Sequence, residues 1–222
     1  MKHLIQLSIL FFLFVILVTC EKDEPEPEPS QGSLTDTRGG ISKTYKTVKI
    51  GNQWWMAENL AYDVGDGCWA YDNDESNVAT YGRLYNLEAA LKACPSGWHL
   101  PTDDEWKQLE MAIGMSQSEA DGIDARGTDE GIKLKATSGW ENNGNGTDDF
   151  GFSALPGGSR ATAGVFYGTG NSACWWSATE SNSTSEWNGI GAWTRYMYSA
   201  DTKLYRNYFY KELGYSVRCV RD

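Results

Sequence analysis

The sequence predicts an α+β domain in which two helices precede a strand-rich, loop-rich second half. The chain of 222 residues holds ten Trp, twelve Tyr and 24 Gly, which strands and loops accommodate better than helices do. Two segments in the first half carry helix signals. After Cys174, four short runs alternate aromatic or aliphatic residues with polar ones, the period of antiparallel strands. This length supports one sizeable core rather than two.

The best-defined helix is predicted over residues 103–113. Thr102 and Glu105 form a T-x-x-E capping box just before an apolar face with helical spacing, and this pattern is typical of a helix N-terminus. Gly114 marks the end of the helix. A second helix is predicted over residues 84–93, because this stretch is rich in Leu, Ala, Glu and Lys and contains neither Gly nor Pro.

Strands and loops account for the remainder of the domain. A hairpin is predicted at its start, with strands at 44–50 and 53–60 around a Gly-Asn turn. Residues 61–80 are expected to form a loop that a disulfide closes onto the core, and 115–131 a loop with one helical turn. Residues 132–136 are predicted as a short strand and residues 138–158 as a long loop. Four further strands are predicted over 174–179, 191–199, 203–210 and 214–222.

Residues 1–19 are predicted to be a lipoprotein signal peptide. Lys2 precedes an apolar run over 4–18, and Leu-Val-Thr-Cys ending at Cys20 is similar to a bacterial lipobox. The apolar run is shorter than the ~20 residues that a membrane-spanning helix needs. Cys20 is therefore the expected site of lipidation, and the membrane is an expected partner through this anchor.

Residues 20–43 are predicted to form a tether, and residues 44–222 the folded domain. The run EKDEPEPEPSQGS is acidic and punctuated by proline, so it has too few apolar side chains to form a core. Its Lys-Asp-Glu start is similar to the export signal of lipoproteins in Bacteroidetes-type bacteria, and the alternative is a plain spacer. We therefore expect a lipoprotein of the outer membrane whose domain is exposed at the cell surface.

The charge balance argues against nucleic acid as a partner. The formal net charge is −11, and no basic stripe interrupts the acidic composition. Proteins that bind nucleic acid need clustered Lys and Arg to neutralise phosphates.

The cysteines fit export to an oxidising compartment. Apart from Cys20 there are four, an even number with no C-x-x-C spacing, so two structural disulfides are expected rather than a zinc or redox site. Four cysteines allow three pairings, and the residues alone leave the choice open.

Six motifs, in order along nearly the whole domain, closely resemble the Fibrobacter succinogenes major paralogous domain. More distantly, HLPTDDEW and the terminal VRCV are similar to motifs of the formylglycine-generating enzyme family, within the C-type lectin superfold. The resemblance implies an α+β, C-type-lectin-like fold: two helices packed on a twisted antiparallel sheet whose first and last strands lie together, with long loops on one side. The six motifs are WWMAENL (54–60), YGRLYN (81–86), CPSGWHLPTDDEW (94–106), DDFGFSALPGGSR (148–160), WWSATE (175–180) and YSVRCVRD (215–222).

The resemblance also implies a disulfide pairing. In C-type-lectin-like folds an early helix is tied to the last strand, which corresponds here to Cys94–Cys219 and leaves Cys68–Cys174. The alternative pairs Cys68 with Cys94 and Cys174 with Cys219.

No catalytic residue and no cofactor is predicted. His99 is the only histidine left after signal cleavage, and a structural role suits a solitary histidine in a packing motif better than catalysis. Formylglycine-generating enzymes use a pair of active-site cysteines, whereas Cys174 has no second cysteine close by. We therefore do not transfer that activity.

Calcium is the one metal for which the sequence offers candidate ligands. Carboxylate and amide oxygens in a Gly-rich loop can bind Ca²⁺, and Asn145, Asp148 and Asp149 lie in such a loop. The alternative is that they are solvated turn residues.

The excess of aromatic residues indicates a binding function. Not all of them fit into one core, and exposed Tyr and Trp form adaptable recognition surfaces that also stack on sugars. We expect the Trp175–Trp176 pair to be core. The leading hypothesis is a binding module for carbohydrate or protein; a structural or fimbrial envelope component is the alternative, and an enzyme ranks third. The candidate ligand-binding residues are Trp187, Trp193, Tyr196, Tyr198, Tyr205, Tyr208 and Tyr210.

Overall fold

The computed structural model describes residues 30–40, 42–181 and 191–222. The predicted signal peptide, Cys20 and the start of the predicted tether lie outside these ranges. The fold is mixed α+β, dominated by antiparallel strands with a few short helices. No helix in the described ranges is long and apolar enough to cross a membrane.

A four-stranded antiparallel sheet contains both ends of the described chain. The predicted hairpin is confirmed as its second and third strands, although the third strand is shorter than expected. The last strand lies in the same sheet as the first ones, with Val220 opposite Trp55. In spatial order, the strands are β1 (Ser30–Asp36), β2 (Lys43–Ile50), β3 (Gln53–Met56) and β12 (Val220–Arg221).

The predicted domain boundary at Thr44 falls inside this sheet. β1 pairs with β2 along its whole length, from Ser30 opposite Lys49 to Asp36 opposite Lys43. The composition of SQGSLTD does not indicate a strand. This edge strand is held by backbone hydrogen bonds, and most of its side chains stay exposed, so it needs no alternating apolar pattern. The folded unit therefore includes residues that were predicted to be tether.

A six-stranded sheet forms the second half of the domain. It confirms three of the four predicted C-terminal strands, whereas the fourth run contributes only β12. A separate two-stranded sheet joins β4 (Cys68–Trp69) to β5 (Leu84–Tyr85). In spatial order, the strands of the large sheet are β6 (Asp124–Arg126), β11 (Leu204–Tyr210), β10 (Gly191–Tyr198), β9 (Ser172–Glu180), β7 (Gly157–Arg160) and β8 (Phe166–Thr169).

The helices are short, and two of them match the predicted ones. The capping box of the longest helix is confirmed: the Thr102 side chain accepts a hydrogen bond from the Glu105 N–H, and the Glu105 carboxylate accepts one from the Thr102 N–H. The segment 84–93 is strand β5 followed by a helix. The helices are α1 (Val78–Tyr81), α2 (Leu87–Ala93), α3 (Asp103–Ala112), α4 (Gln117–Ala120) and α5 (Glu130–Leu134).

The segment after residue 114 mixes correct and incorrect predictions. α4 is the expected helical turn, and residues 138–156 form the expected long loop without helix or strand. The strand predicted over 132–136 is wrong, because α5 ends there. A five-residue apolar run is too short for its periodicity to separate strand from helix.

Fully buried tryptophans form the centre of the core. The ring centroids of Trp55 and Trp106 are 4.8 Å apart, and those of Trp106 and Trp175 are 6.3 Å apart. Trp175 and Trp176 are both 0% exposed, so the pair is core, as expected. These rings join α3 to both large sheets.

A buried ion network fixes α3 against the six-stranded sheet. Asp103 accepts hydrogen bonds from Arg195 at 2.8 Å and Arg206 at 2.7 Å. Glu110, two turns later, accepts from Arg195 at 2.5 Å and Arg126 at 2.7 Å. Burial alone would raise the pKa of Asp103, but the two arginines outweigh it and hold this pKa below its usual range. Asp103 therefore does more than favour the helix dipole: it anchors the sheet.

The disulfide Cys94–Cys219 is present, with Cα atoms 5.8 Å apart, and ties the end of α2 to the residue before β12. This is the pairing that the family resemblance implied.

The second expected disulfide, Cys68–Cys174, is absent, and both residues are free cysteines. Cys68 pairs across the small sheet with Tyr85, Tyr85 bridges Tyr215, and the next residue, Ser216, donates its N–H to the Cys174 carbonyl. Two chain segments thus separate the cysteines, about 14 Å at normal strand spacing. Disulfides need Cα atoms roughly 5.5–6 Å apart, so this pairing is a wrong prediction for the structure described.

Candidate ligand-binding face

Three of the predicted ligand-binding residues meet on one face of the six-stranded sheet. Tyr196 and Tyr198 come from β10, and Tyr205 comes from the neighbouring β11, directly opposite Tyr196. The rings of Tyr196 and Tyr205 stack at 4.9 Å with an interplanar angle of 27°. Tyr198 packs edge-on against both, at 5.6 and 5.3 Å. We call these three residues the tyrosine cluster.

The cluster is rooted in the core and opens to solvent at one end. Tyr196 is 8% exposed, whereas Tyr198 is 42% exposed. Phe209 lies 5.9 Å from Tyr196 on the inner side and 6.0 Å from Tyr215, which in turn packs on the buried Trp176. Because the inner rings hold the outer ones, the exposed edge of Tyr198 is presented on a rigid base.

The tyrosine hydroxyls stay neutral at physiological pH. Burial raises the pKa of Tyr196 to about 12 and also raises the pKa of Tyr198. The hydrogen bond that Tyr205 donates to Asp201 at 2.5 Å raises the pKa of Tyr205 to about 12, with burial and the carboxylate charge adding to it. Each hydroxyl therefore remains both a donor and an acceptor.

A buried ammonium group holds the turn that carries the cluster. Lys135, 1% exposed, donates to the backbone carbonyls of Tyr198 at 2.5 Å and Asp201 at 2.6 Å. Its Nζ also lies 4.7 Å from the centre of the Trp140 ring. Burial lowers the pKa of Lys135. The Lys135 ammonium lies between the carbonyls of the β10–β11 turn and stabilises this turn. Because Tyr198 belongs to the tyrosine cluster, Lys135 also helps to position the cluster.

Polar side chains border the cluster on its β6 side. Asn207 donates to the exposed Asp124 at 2.7 Å, next to Tyr205 in the same sheet. Asp201 closes the turn by accepting from the Lys203 N–H. The surroundings of the cluster are therefore acidic and polar, which favours neutral or cationic groups over anions.

The other predicted residues do not join this cluster. Trp193 and Tyr208 pack on the opposite face of the sheet, 5.4 Å apart, and the Arg206 guanidinium stacks 3.5 Å from the Trp193 ring. Since strand residues alternate between faces, the seven candidates could not share one surface. Tyr210, 36% exposed, lies at the end of β11, and Trp187 lies outside the described residues.

A cavity of about 300 Å³ opens at the far end of β10 and β11. Its lining residues are Gly191, Asn207, Tyr208, Phe209 and Tyr210.

The calcium candidates organise their own loop. Asn145 accepts from the Trp140 N–H at 3.0 Å, and Asp148 accepts from the Ser153 N–H and hydroxyl, both at 2.6 Å. Asp149 is exposed. Among the described residues, no group of three or more His, Cys, Asp or Glu side chains is placed to hold a metal ion.

His99 and the free thiols occupy structural positions. His99 bridges β12 through its backbone, and its Nε2 lies 2.6 Å from Glu105 Oε1. Burial raises the pKa of Cys68 to about 11 and that of Cys174 to about 12. Both cysteines are thiols rather than nucleophilic thiolates at neutral pH.

Sequence reasoning missed Lys135, Asp201, Asn207 and Phe209. Lys135 follows a short helix and carries no local signal of burial, because its acceptors are carbonyls more than 60 residues away. Asp201, Asn207 and Phe209 lie in a strand-and-turn segment from which the sequence analysis selected only Trp and Tyr residues as candidates.

Comparison with known proteins places these features in a family. A family model described as the Fibrobacter succinogenes major domain matches residues 48–221. No curated protein and no solved structure matches the chain.

Proposed function

This chain belongs to the Fibrobacter succinogenes major domain family, and from that membership and the tyrosine cluster we propose that it is a non-catalytic binding module for carbohydrate. The observation that carries the proposal is the cluster itself: a 42% exposed tyrosine held on a base of buried aromatic rings. Aromatic faces stack on pyranose rings, and neighbouring amide, hydroxyl and carboxylate groups accept or donate to sugar hydroxyls. Asn207 and Asp201 supply such groups.

The setting of the module is part of the same proposal. The lipobox-like segment at Cys20 and the acidic run after it support a lipoprotein of the outer membrane that displays its domain at the cell surface. The net charge of −11 supports a partner other than nucleic acid.

The fold is proposed to be C-type-lectin-like. In support, the last strand lies in the sheet of the first strands, and Cys94–Cys219 links the end of α2 to that strand. Binding is proposed to be independent of calcium, because the Lys135 ammonium already occupies the carbonyl-lined position beneath the cluster.

A glycan array probed with the purified protein tests the function directly. We expect saturable binding of neutral or amino sugars, unchanged by EDTA. Tyr198→Ala removes the exposed ring and should weaken binding roughly tenfold, as loss of an aromatic anchor does. Leu91→Ala, which truncates a 52% exposed side chain on α2, is the matched control and should bind normally.

Two outcomes would contradict this function. If Tyr198→Ala and the unchanged protein bound every array hit with equal affinity, the tyrosine cluster would not be the binding site. An array without hits, combined with concentration-dependent self-assembly on a sizing column, would favour the alternative of a structural or fimbrial envelope component.

A further inference from the structure

A second aromatic surface surrounds Arg160 at the end of β7. Its guanidinium carbon lies 3.9 Å from the centre of the Trp69 ring and 5.8 Å from that of Phe166. Tyr71 packs against Phe166 at 5.3 Å. A cation thus lies among aromatic faces at the protein surface, on a different strand from the tyrosine cluster.

The hydrogen-bonding capacity of Arg160 is largely unused. A guanidinium has five N–H donors, yet Nη1 makes only a long contact of 3.5 Å to the Ala161 carbonyl. Nε is shielded from solvent and has no acceptor within the described part of the chain, and no described group accepts from Nη2. Unsatisfied donors of this kind are uncommon in folded proteins.

Arg160 also belongs to the minority of described arginines that have no carboxylate partner. Five described arginines have a carboxylate partner within 4.0 Å, and Arg218 is surrounded by carbonyl and amide oxygens. Of the eight described arginines, Arg160, Arg218 and Arg221 are the three without a carboxylate within 4.0 Å, and Arg221 lies exposed beside Trp54 and Trp98. The five paired arginines are Arg38, Arg83, Arg126, Arg195 and Arg206.

Backbone hydrogen bonds fix the strand that carries Arg160, and the stacking on Trp69 orients its side chain. Arg160 N donates to the Gly214 carbonyl at 2.9 Å, and Gly214 N donates back to the Arg160 carbonyl at 2.8 Å. Gly214 also permits close packing, because a Cβ there would lie 2.9 Å from Arg160 Cβ. Gly164 in the hairpin turn, with φ +86°, leaves room beside Nη2. The site is therefore preorganised, which limits the entropy lost on binding.

We propose that Arg160, Trp69 and Phe166 form a binding site for an acidic polysaccharide, with Arg160 pairing with the carboxylate of a uronic acid residue. A carboxylate matches the planar fork of a guanidinium. The Trp69 and Phe166 rings beside the guanidinium add apolar contact, which suits the apolar face of a pyranose ring better than an acidic peptide that offers charge without such a face. The site does not depend on the tyrosine cluster, so either site can exist without the other.

Oligogalacturonate and its methyl ester are the probes, with binding measured by isothermal titration calorimetry on the purified protein. We expect oligogalacturonate to bind, the ester to bind at least tenfold more weakly, and added NaCl to weaken binding. Arg160→Gln should lower the affinity between about 10-fold and 100-fold, the range for a hydrogen bond to a charged group. Arg160→Lys keeps the charge but loses the fork, and it should restore only part of the affinity.

Arg221→Gln is the matched control. It removes one positive charge from another surface arginine, 5.0 Å from the Trp98 ring, and should leave binding unchanged. Melting temperatures verify that each variant is folded.

Four results would overturn the proposal. They are the absence of saturable oligogalacturonate binding, equal binding of the methyl ester, an Arg160→Gln variant that melts normally and binds as well as the unchanged protein, and tighter binding of polyglutamate or a sulfated oligosaccharide than of oligogalacturonate.

Discussion

Removing the Cys94–Cys219 crosslink by replacing both residues with alanine should produce a large loss of stability. The two residues are 125 positions apart. In the chain-entropy account, a closed loop of this length lowers the entropy of the unfolded chain enough to stabilise the folded state by about 5 kcal/mol at 25 °C. With a urea m-value of about 2 kcal/mol/M, the unfolding midpoint should fall by roughly 2.5 M.

The assay is urea unfolding followed by tryptophan fluorescence, with and without reductant. The unchanged protein should show the midpoint shift on reduction, and Cys94→Ala/Cys219→Ala should show the low midpoint under both conditions. Cys68→Ala/Cys174→Ala is the control, because both of these cysteines are free, and it should keep the full redox-dependent shift.

Two results would refute this reasoning. A midpoint of Cys94→Ala/Cys219→Ala within about 0.5 M of the unchanged protein would mean that loop closure contributes little. Loss of the redox-dependent shift in Cys68→Ala/Cys174→Ala would mean that the cysteines pair differently.

Three further predictions concern the ion network, the turn beneath the tyrosine cluster and the anchor. Asp103→Asn leaves Arg206 buried without a carboxylate partner and Arg195 with Glu110 alone, and it should destabilise the protein by about 3–5 kcal/mol near pH 7. The pKa of Asp103 lies below the usual 3.8 in the folded state, so the carboxylate stabilises the fold fully above pH 3.8 and progressively less as the pH falls below 3.8. The free energy of unfolding should therefore decrease less steeply with acid in Asp103→Asn than in the unchanged protein. Identical pH profiles of the two proteins would contradict the stabilising role of Asp103. Lys135→Met leaves buried carbonyls unpaired and should cost about 2–4 kcal/mol in urea unfolding, whereas the exposed Lys203→Met should stay within about 0.5 kcal/mol; equal midpoints for the two variants would exclude the role of Lys135. Cys20→Ser should move the protein from the membrane to the soluble fraction of cells, and unchanged membrane retention would argue against lipidation.

Features encoded within a few residues could be predicted from the sequence. The capping box fixed the start of α3 at Asp103, because its donors and acceptors are three residues apart. The alternation in β9, β10 and β11 was equally local. The disulfide Cys94–Cys219 was implied only by the family resemblance, since spacing cannot choose among pairings.

Features that depend on distant partners could not be predicted. β1 is a strand because β2 offers it an edge, and its own composition indicates a tether. Lys135 is buried because carbonyls near Tyr198 converge on it. The tyrosine cluster was found only in part, since the choice of face for each aromatic residue depends on strand register, which one sequence does not show.

The covalent loop between residues 94 and 219 also determines how the domain would respond to mechanical load. Both the tyrosine cluster and Arg160 lie inside this loop. If a polymer bound to this part of the domain were pulled away from an anchor ahead of Ser30, the crosslink would limit how far the segment with the tyrosine cluster and Arg160 could be extended. The tension would first strain the β1–β2 pairing at the sheet edge, where seven residue pairs join the strands. A single-molecule pulling experiment should therefore show an early, short extension as β1 detaches, followed by a plateau whose length grows when the disulfide is reduced.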